Sequence, residues 1–387
     1  MYKIKALNKI SKSGAETLKN RGYSFSEDEE KPDAVILRSA NMHEYEASAN
    51  LLCVARAGAG VNNIPKERFA EEGIVVFNTP GANAEAVKEL AICALLLSSR
   101  DILGGTEWLK GLEQKDDRLP SLVEKEKSKF AGPEIKGKVL GVVGLGAIGA
   151  KIASAAIELG MEVYGYDPYL SVKSAWNLSS RVKYALTLDI IYKNCDYITM
   201  HLPYTEATHH MICKESIEKM KDGVRIINLA RGELVCDEDM ISALDRGSVS
   251  KYVTDFPNKV TVGRKNVIAM PHLGASTPES EENCTAMAVQ SVVEYLENGN
   301  IINSVNYPNV YAERVGDCRV CVIHSSGKGT LQDILDVLEQ HHVSVESITS
   351  KPCDSLTYTM ADITGTVQEE LADEIGRIQG ILRVRVL

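Results

Sequence analysis

Over roughly the first hundred residues, short apolar blocks recur between polar or helix-forming stretches. "DAVILRS", "LLCVARAG" and "GIVVFNTPG" are β-rich, and "NIPKERFAEEG" between them reads as a helix closed by Gly73. Strands alternating with helices predict an α/β unit built on a mostly parallel sheet. "NAEAVKELAICALLLSSRDI" then spaces apolar residues at helical intervals for several turns. The charged stretch "KGLEQKDDRLPSLVEKEKSK" behind it is expected to be exposed. Six further strands are predicted at "KVLGVVG", "MEVYGYD", "CDYITMHLP", "GVRIINLAR", "SKYVTDF" and "KNVIAMPHLG", with helices between them. That is the strand count of a complete doubly wound sheet.

A long helix, "SEENCTAMAVQSVVEYLENG", follows and ends at Gly299, and "SVNYPNVYAERVGD" reads as a linker. Beyond it, strands at "CRVCVIHS", "VSVESITS", "LTYTMADI" and "ILRVRVL" enclose helices at "GTLQDILDVLEQHH" and "VQEELADEIGRIQ". The order β-α-β-β-α-β is the ferredoxin-like pattern, here a separate unit over residues 318–387.

With 387 residues the chain has room for two or three domains. No apolar run approaches the roughly 18 residues of a membrane span, and the start lacks the apolar block of a signal peptide. A cytoplasmic protein without membrane contact is expected. The formal charge of −10 argues against nucleic acid as a partner, and an anionic substrate would need a local cluster of Arg or Lys. Nine dispersed cysteines suggest reduced thiols rather than a disulfide framework. Cys318 and Cys321 form a CxxC, but strand alternation would point them to opposite faces, which favours buried strand residues over a metal or redox role. No metal site is expected.

Gly144, Gly146 and Gly149 follow an apolar strand and open a helix. The first permits a tight turn, the second lets backbone amides approach a pyrophosphate, and the third lets helix and strand pack closely. The helix N-terminus supplies unpaired N–H groups to the phosphates. Asp167 ends the next strand, 18 residues past Gly149 (167 − 149). An acid there can accept both ribose hydroxyls and would repel a 2′-phosphate. No basic residue appears between it and Lys173, so NAD is favoured over NADP.

Arg231, His272 and Asp255 fall at carboxyl ends of predicted strands, where such sheets bind ligands. A guanidinium suits a substrate with adjacent carboxylate and carbonyl groups. An imidazole suits transfer of the hydroxyl proton in either direction. By itself His272 would more often be structural; beside Arg231 in a dinucleotide domain the catalytic reading is preferred. The other histidines lack that context.

The motifs "GLGAIG", "YDPY", "HLPYTEATHHMI", "INLARGELV" and "PHLGAST", in this order, resemble the D-isomer-specific 2-hydroxyacid dehydrogenase family. "VARAGAGVNNI" and "GIVVFNTPGAN", with the small C-terminal unit, look most like its phosphoglycerate-oxidising branch. The resemblance implies a doubly wound Rossmann domain (99–283) inserted into a flavodoxin-like substrate domain (1–98 and the closing helix 284–307). The substrate would bind in the cleft between them. It implies catalytic roles for Arg231 and His272, and a cofactor site that adds Ala147, Ile148, His201, Leu202, Pro203, Leu229, Ala230, Asp255, Gly274 and Ala275 to the glycines and Asp167. Backbone amides near Ala57 and Gly58 would hold the substrate carboxylate, and Asn83 would line the cleft. Arg38 and Arg56 would supply positive charge to the substrate, or else form surface or interdomain salt bridges. The tail resembles an ACT domain, which implies an amino-acid effector, but its first loop "HSSGKGT" lacks the Asn and Pro usual there. A homodimer or homotetramer is implied as well.

One departure concerns the catalytic pair. The family's Glu partner for the catalytic His falls on Lys259 in "TDFPNK". Either another acid orients His272, with Asp255 the nearest in sequence, or the chain is less active than its relatives; alternatively Asp255 matches the family aspartate that contacts the nicotinamide amide. The expected activity is NAD-dependent oxidation of 3-phospho-D-glycerate. The alternatives are oxidation of another small D-2-hydroxyacid and a non-catalytic NAD-sensing binding protein.

Overall fold

The computed structural model describes residues 1–8, 10–112, 118–327, 330–367 and 370–387, without the side chain of Lys173. Residues 113–117 of the charged stretch, Lys328 and Gly329 of the tail's first loop, and Gln368 and Glu369 of its last predicted helix lie outside them. The chain divides into two compact units, residues 1–83 with 278–387, and residues 84–277.

In the first unit, β1 (Lys3–Ala6), β2 (Ser24–Ser26), β3 (Ala34–Leu37), β4 (Cys53–Arg56) and β5 (Val75–Phe77) form a wholly parallel sheet in the order β2-β1-β3-β4-β5. This is the flavodoxin-like order. The apolar runs of β3 and β5 are buried throughout, as a parallel sheet covered on both faces requires. Strands β1 and β2 and the helix Lys12–Asn20 lack a continuous apolar run, because "KIKA" and "SFS" carry polar residues at every second position. The helix Pro278–Asn298 lays Val289, Val292, Tyr295 and Leu296 on Ile4, Ile36, Ala55 and Phe77. Gly14 lets Lys12–Asn20 approach it, since a Cβ there would stand 2.4 Å from the Thr285 Cγ2.

Two predicted boundaries move. The helix Ala84–Ser99, assigned above to the first domain, packs on Ala147–Glu158 through Ala91, Ala94 and Leu95 and falls in the second unit. The helix after the second unit begins at Pro278, not at residue 284, because it runs unbroken from there.

The second unit has seven parallel strands: β6 (Val139–Val143), β7 (Glu162–Tyr166), β8 (Lys183–Tyr184), β9 (Tyr197–Met200), β10 (Val224–Asn228), β11 (Val249–Thr254) and β12 (Val267–Ala269). The order is β12-β11-β10-β9-β6-β7-β8, the doubly wound Rossmann arrangement with its switch point between β6 and β9. All six predicted strands are present. The seventh, β8, is a two-residue exposed edge with no apolar signature.

The C-terminal sheet comprises β13 (Cys318–Ser325), β14 (Ser344–Cys353), β15 (Leu356–Thr364) and β16 (Ile381–Val386). Its order is β14-β15-β13-β16, antiparallel throughout. Val320, Val322, Ala361 and Ile363 face the helices Thr330–Gln340 and Leu371–Gly376, whereas Cys321, Ile323, Tyr358 and Met360 join the core of the first unit. Cys318 and Cys321 therefore face opposite ways. The predicted linker is also anchored: the Tyr307 hydroxyl donates to the Ala70 carbonyl at 2.6 Å, and Asn306 side-chain Nδ2 donates to the Ile74 carbonyl at 2.9 Å.

Arg319 is 1% exposed and grips Asp362 with two bonds of 2.6 and 2.8 Å. Its remaining nitrogen donates to the carbonyls of Asn298 and Ala312 at 2.8 and 3.1 Å. Removing one partner of so buried a pair leaves an uncompensated charge. Asp362→Ala should therefore cost about 3–5 kcal/mol in chemical denaturation, and a loss below about 1 kcal/mol would deny the pair this role.

Candidate active site

The glycine turn joins β6 to the helix Ala147–Glu158, with Gly146 as N-cap. Gly144 has φ +91°, and a Cβ on it would stand 2.5 Å from the His201 carbonyl oxygen. A Cβ on Gly149 would stand 1.9 Å from the Gly144 oxygen, so strand and helix pack as the sequence implies. A Cβ on Gly146 would meet nothing within 4 Å. That open space lies before the first amides of the helix, where a pyrophosphate would sit. Leu145, Gly146 and Ala147 line one end of a groove of about 690 Å³ that continues past Lys151 to Ser174 and Asn177. Asp167, after β7, accepts the Leu145 amide on Oδ2 and the Tyr169 amide on Oδ1, each at 2.9 Å. It fixes the glycine turn while each oxygen keeps a lone pair for a ribose hydroxyl. These features fit a dinucleotide.

The remaining cofactor positions follow successive strands of this one sheet. His201, Leu202 and Pro203 follow β9; Leu229 and Ala230 follow β10; Asp255 follows β11; Gly274 and Ala275 lie beyond β12. Because every strand is parallel, all of them emerge at one edge. His201 has its Nε2 2.8 Å from the Thr199 hydroxyl, and burial pushes its pKa down to about 3. It is a neutral wall.

Arg231 and His272 also belong to this edge. Asn228, fully buried, donates to the Arg231 carbonyl at 2.8 Å and accepts the Ala230 amide at 3.2 Å, bracing the turn that carries the guanidinium. The exposed His272 packs edge-on against Phe256, with ring centroids 4.6 Å apart. Asp255 is 1% exposed. Among the described residues, no donor meets full hydrogen-bond geometry at either of its oxygens, and the Gly274 backbone is the nearest such group. Burial raises its pKa, while the charge of His272, the Gly274 amide and the charge of Arg231 pull it back. The three predicted residues are thus electrostatically joined. Lys259 is exposed, in a turn headed by Asn258, whose Oδ1 accepts the Val260 and Thr261 amides. Asn228 and Phe256 were missed as positioning groups, although "INLARGE" places Asn228 three residues before Arg231.

The predicted substrate residues Arg38, Arg56, Ala57, Gly58 and Asn83 belong to the first unit. One expectation there is corrected. The Ala57 amide donates to the Leu37 carbonyl at 2.8 Å and the Gly58 amide to the Arg56 carbonyl at 2.9 Å, so neither points to a substrate. Among the described residues, the neighbouring amides of Ala59 and Gly60 have no backbone acceptor. Arg56 braces the same loop through the carbonyls of Arg38 (2.9 Å) and Gly60. Arg38 pairs with Glu281 and stays a third exposed.

The D-isomer specific 2-hydroxyacid dehydrogenase, NAD binding domain, matches residues 94–274. A hydroxypyruvate reductase of Thermotoga maritima is 38% identical over 276 residues, 68% of this chain and 85% of the relative. A D-3-phosphoglycerate dehydrogenase of Archaeoglobus fulgidus is 32% identical over 318 residues, 79% of this chain but 58% of the relative. This chain thus spans under two thirds of that enzyme's length. Among solved structures, NAD+-bound 3-phosphoglycerate dehydrogenase of Entamoeba histolytica aligns with a TM-score of 0.61 at 26% identity. That alignment covers 79% of this chain and 98% of the other.

His201 gives a pH test. Its folded pKa lies below the unfolded 6.5, so below pH 6.5 the unfolded chain binds a proton that the folded chain refuses. Stability should fall by about 1.4 kcal/mol per pH unit towards pH 3. His201→Asn should flatten that slope by the same amount in denaturation at stepped pH; an unchanged slope would remove His201 from the effect.

Proposed function

The chain belongs to the D-isomer-specific 2-hydroxyacid dehydrogenase family, and on that premise we propose that it oxidises 3-phospho-D-glycerate to 3-phosphooxypyruvate with NAD, the entry step of serine synthesis. NAD is the cofactor, and when bound it accepts the hydride. The observation that supports the reading is the buried Asp255 after β11, flanked in the sheet by the strands that lead to Arg231 and His272. In this reading the Arg231 guanidinium holds the substrate carboxylate and the developing carbonyl, and His272 takes the hydroxyl proton. Asp255 is assigned the positioning of His272, the work done in the family by the Glu whose place Lys259 takes. The presence of both Arg231 and His272 on the site edge counts against the non-catalytic alternative.

The phosphorylated substrate is supported by relatives named D-3-phosphoglycerate dehydrogenase at about 30% identity and by the partly exposed Arg38. A second reading, reduction of hydroxypyruvate, is favoured by the identity to the Thermotoga protein and by the engagement of Arg56 within its own loop. We read the protein as a homo-oligomer, on the exposed Leu96, Ile102, Leu103 and Leu109 of neighbouring helices.

Oxidation of NADH should be followed with 3-phosphooxypyruvate and with hydroxypyruvate. The expected outcome is a kcat/KM at least tenfold higher for the phosphorylated acid; the reverse preference selects the second reading, and turnover of neither overturns the enzyme. Asp255→Asn should lower kcat at least tenfold. Because the folded state raises the pKa of Asp255, its charged form opposes folding at neutral pH, so this variant should melt no lower than the parent. Unchanged kcat would remove Asp255 from the mechanism. His272→Ala should abolish most turnover yet still quench on binding NADH.

A further inference from the structure

Outside the proposed chemistry, two thiols are brought together by the backbone of the second unit. Ile212 and Val235 form an isolated parallel bridge: the Ile212 amide donates to the Leu234 carbonyl at 3.0 Å, and the Cys236 amide donates to the Ile212 carbonyl at 2.8 Å. Ile212 and Val235 are buried on one side. Their successors Cys213 and Cys236 therefore turn to the opposite side together, and both are half-exposed free thiols. Neighbouring parallel segments lie about 4.8 Å apart, inside the roughly 4.4–6.8 Å between Cα atoms that a disulfide spans. The two segments are bound again on either side, by the His210 amide to the Glu233 carbonyl at 2.9 Å and the Lys214 amide to Asp239 Oδ2 at 2.9 Å.

Each thiol also heads a helix. Cys213 is the N-cap of Lys214–Ile217 and accepts a backbone amide there, and Cys236 is the N-cap of Asp237–Arg246. Neither position needs sulfur for this, because Ser and Asp cap helices better. Cys213 Sγ donates to Glu215 Oε2 at 3.0 Å. Partial burial raises the Cys236 thiol, which makes it the slower of the two to attack.

We propose that Cys213 and Cys236 form a reversible intrachain disulfide by exchange with a small-molecule disulfide such as oxidised glutathione. The Cys213 thiolate attacks one sulfur of the disulfide, whose S–S bond breaks and releases one thiolate with the bonding pair. The Cys236 thiolate then attacks Cys213 Sγ in the mixed disulfide and releases the second. Two protein thiols are oxidised, the small disulfide is reduced to two thiols, and the two protons end on them. The link ties the segment after β9 to the turn that begins at Arg231, and so stiffens the edge of the sheet on which the site is built.

The test treats the full-length protein with oxidised glutathione, alkylates the remaining thiols and maps peptides without reduction. The expected result is a Cys213–Cys236 cross-linked peptide 2 Da lighter than the summed reduced peptides, reversed by dithiothreitol. The melting midpoint should rise by several degrees and return on reduction. Cys213→Ser and Cys236→Ser keep a capping hydroxyl, so each should fold yet show neither the link nor the rise. Separate glutathione adducts on both residues, two thiols still open to alkylation, or linkage to other cysteines would each overturn the proposal.

Discussion

A carboxylate buried without a full hydrogen bond is a cost that folding accepts only where opposite charge stands close by. Asp255 is such a group, and the arrangement of the second unit follows from the need to supply that charge. Arg231 stands on the turn after β10 and His272 on the loop after β12, the strands on either side of β11, so both share the edge at which Asp255 ends its strand. The central strand thus leads to the carboxylate and its two neighbours to the guanidinium and the imidazole. This works only because all three strands are parallel and end at the same edge.

The same edge explains why a short list of residues does so much. The turn after β6 offers helix amides, with Gly144 and Gly149 glycine because backbone passes within van der Waals contact of where their Cβ atoms would be. Asp167 after β7 fixes that turn through two amides. Asn228, at the end of β10, fixes the next one by bonding the main chain on both sides of it. In each case a strand's last polar side chain holds the loop beyond it, so the site inherits the rigidity of the sheet.

Much of this was legible in the sequence because parallel strands are long apolar runs and their loops carry recognisable turns. The six strands of the second unit and the roles open to Gly144, Asp167, Arg231 and His272 were readable on that basis. Strands β1, β2 and β8 were not, since short edge or half-covered strands have polar residues at alternate positions. Boundaries slipped where helices were assigned by sequence proximity: Ala84–Ser99 has a face of small residues made for another helix, which periodicity alone cannot assign. The Ala57 and Gly58 amides failed as ligands because hydrogen bonds within a loop leave no mark on residue type. Lys259 marks the place of the family's Glu in the sequence, whereas the burial of Asp255 on the neighbouring turn is something only coordinates reveal.

The doubly covered C-terminal sheet has a consequence for how the chain tolerates change. Arg385 donates to the carbonyls of Tyr295 and Leu296 at 3.0 and 2.8 Å, and Tyr358 to that of Gly299 at 2.6 Å. Tyr295 and Leu296 lie in the last turn of the long helix, and their oxygens also accept from the Gly299 amide and the Tyr2 hydroxyl, each at 3.0 Å. Cutting the polypeptide before Cys318 would strip Cys321, Ile323, Tyr358 and Met360 from the shared core and lay a greasy helix flank open to solvent, so a shortened product should clump rather than survive in trimmed form.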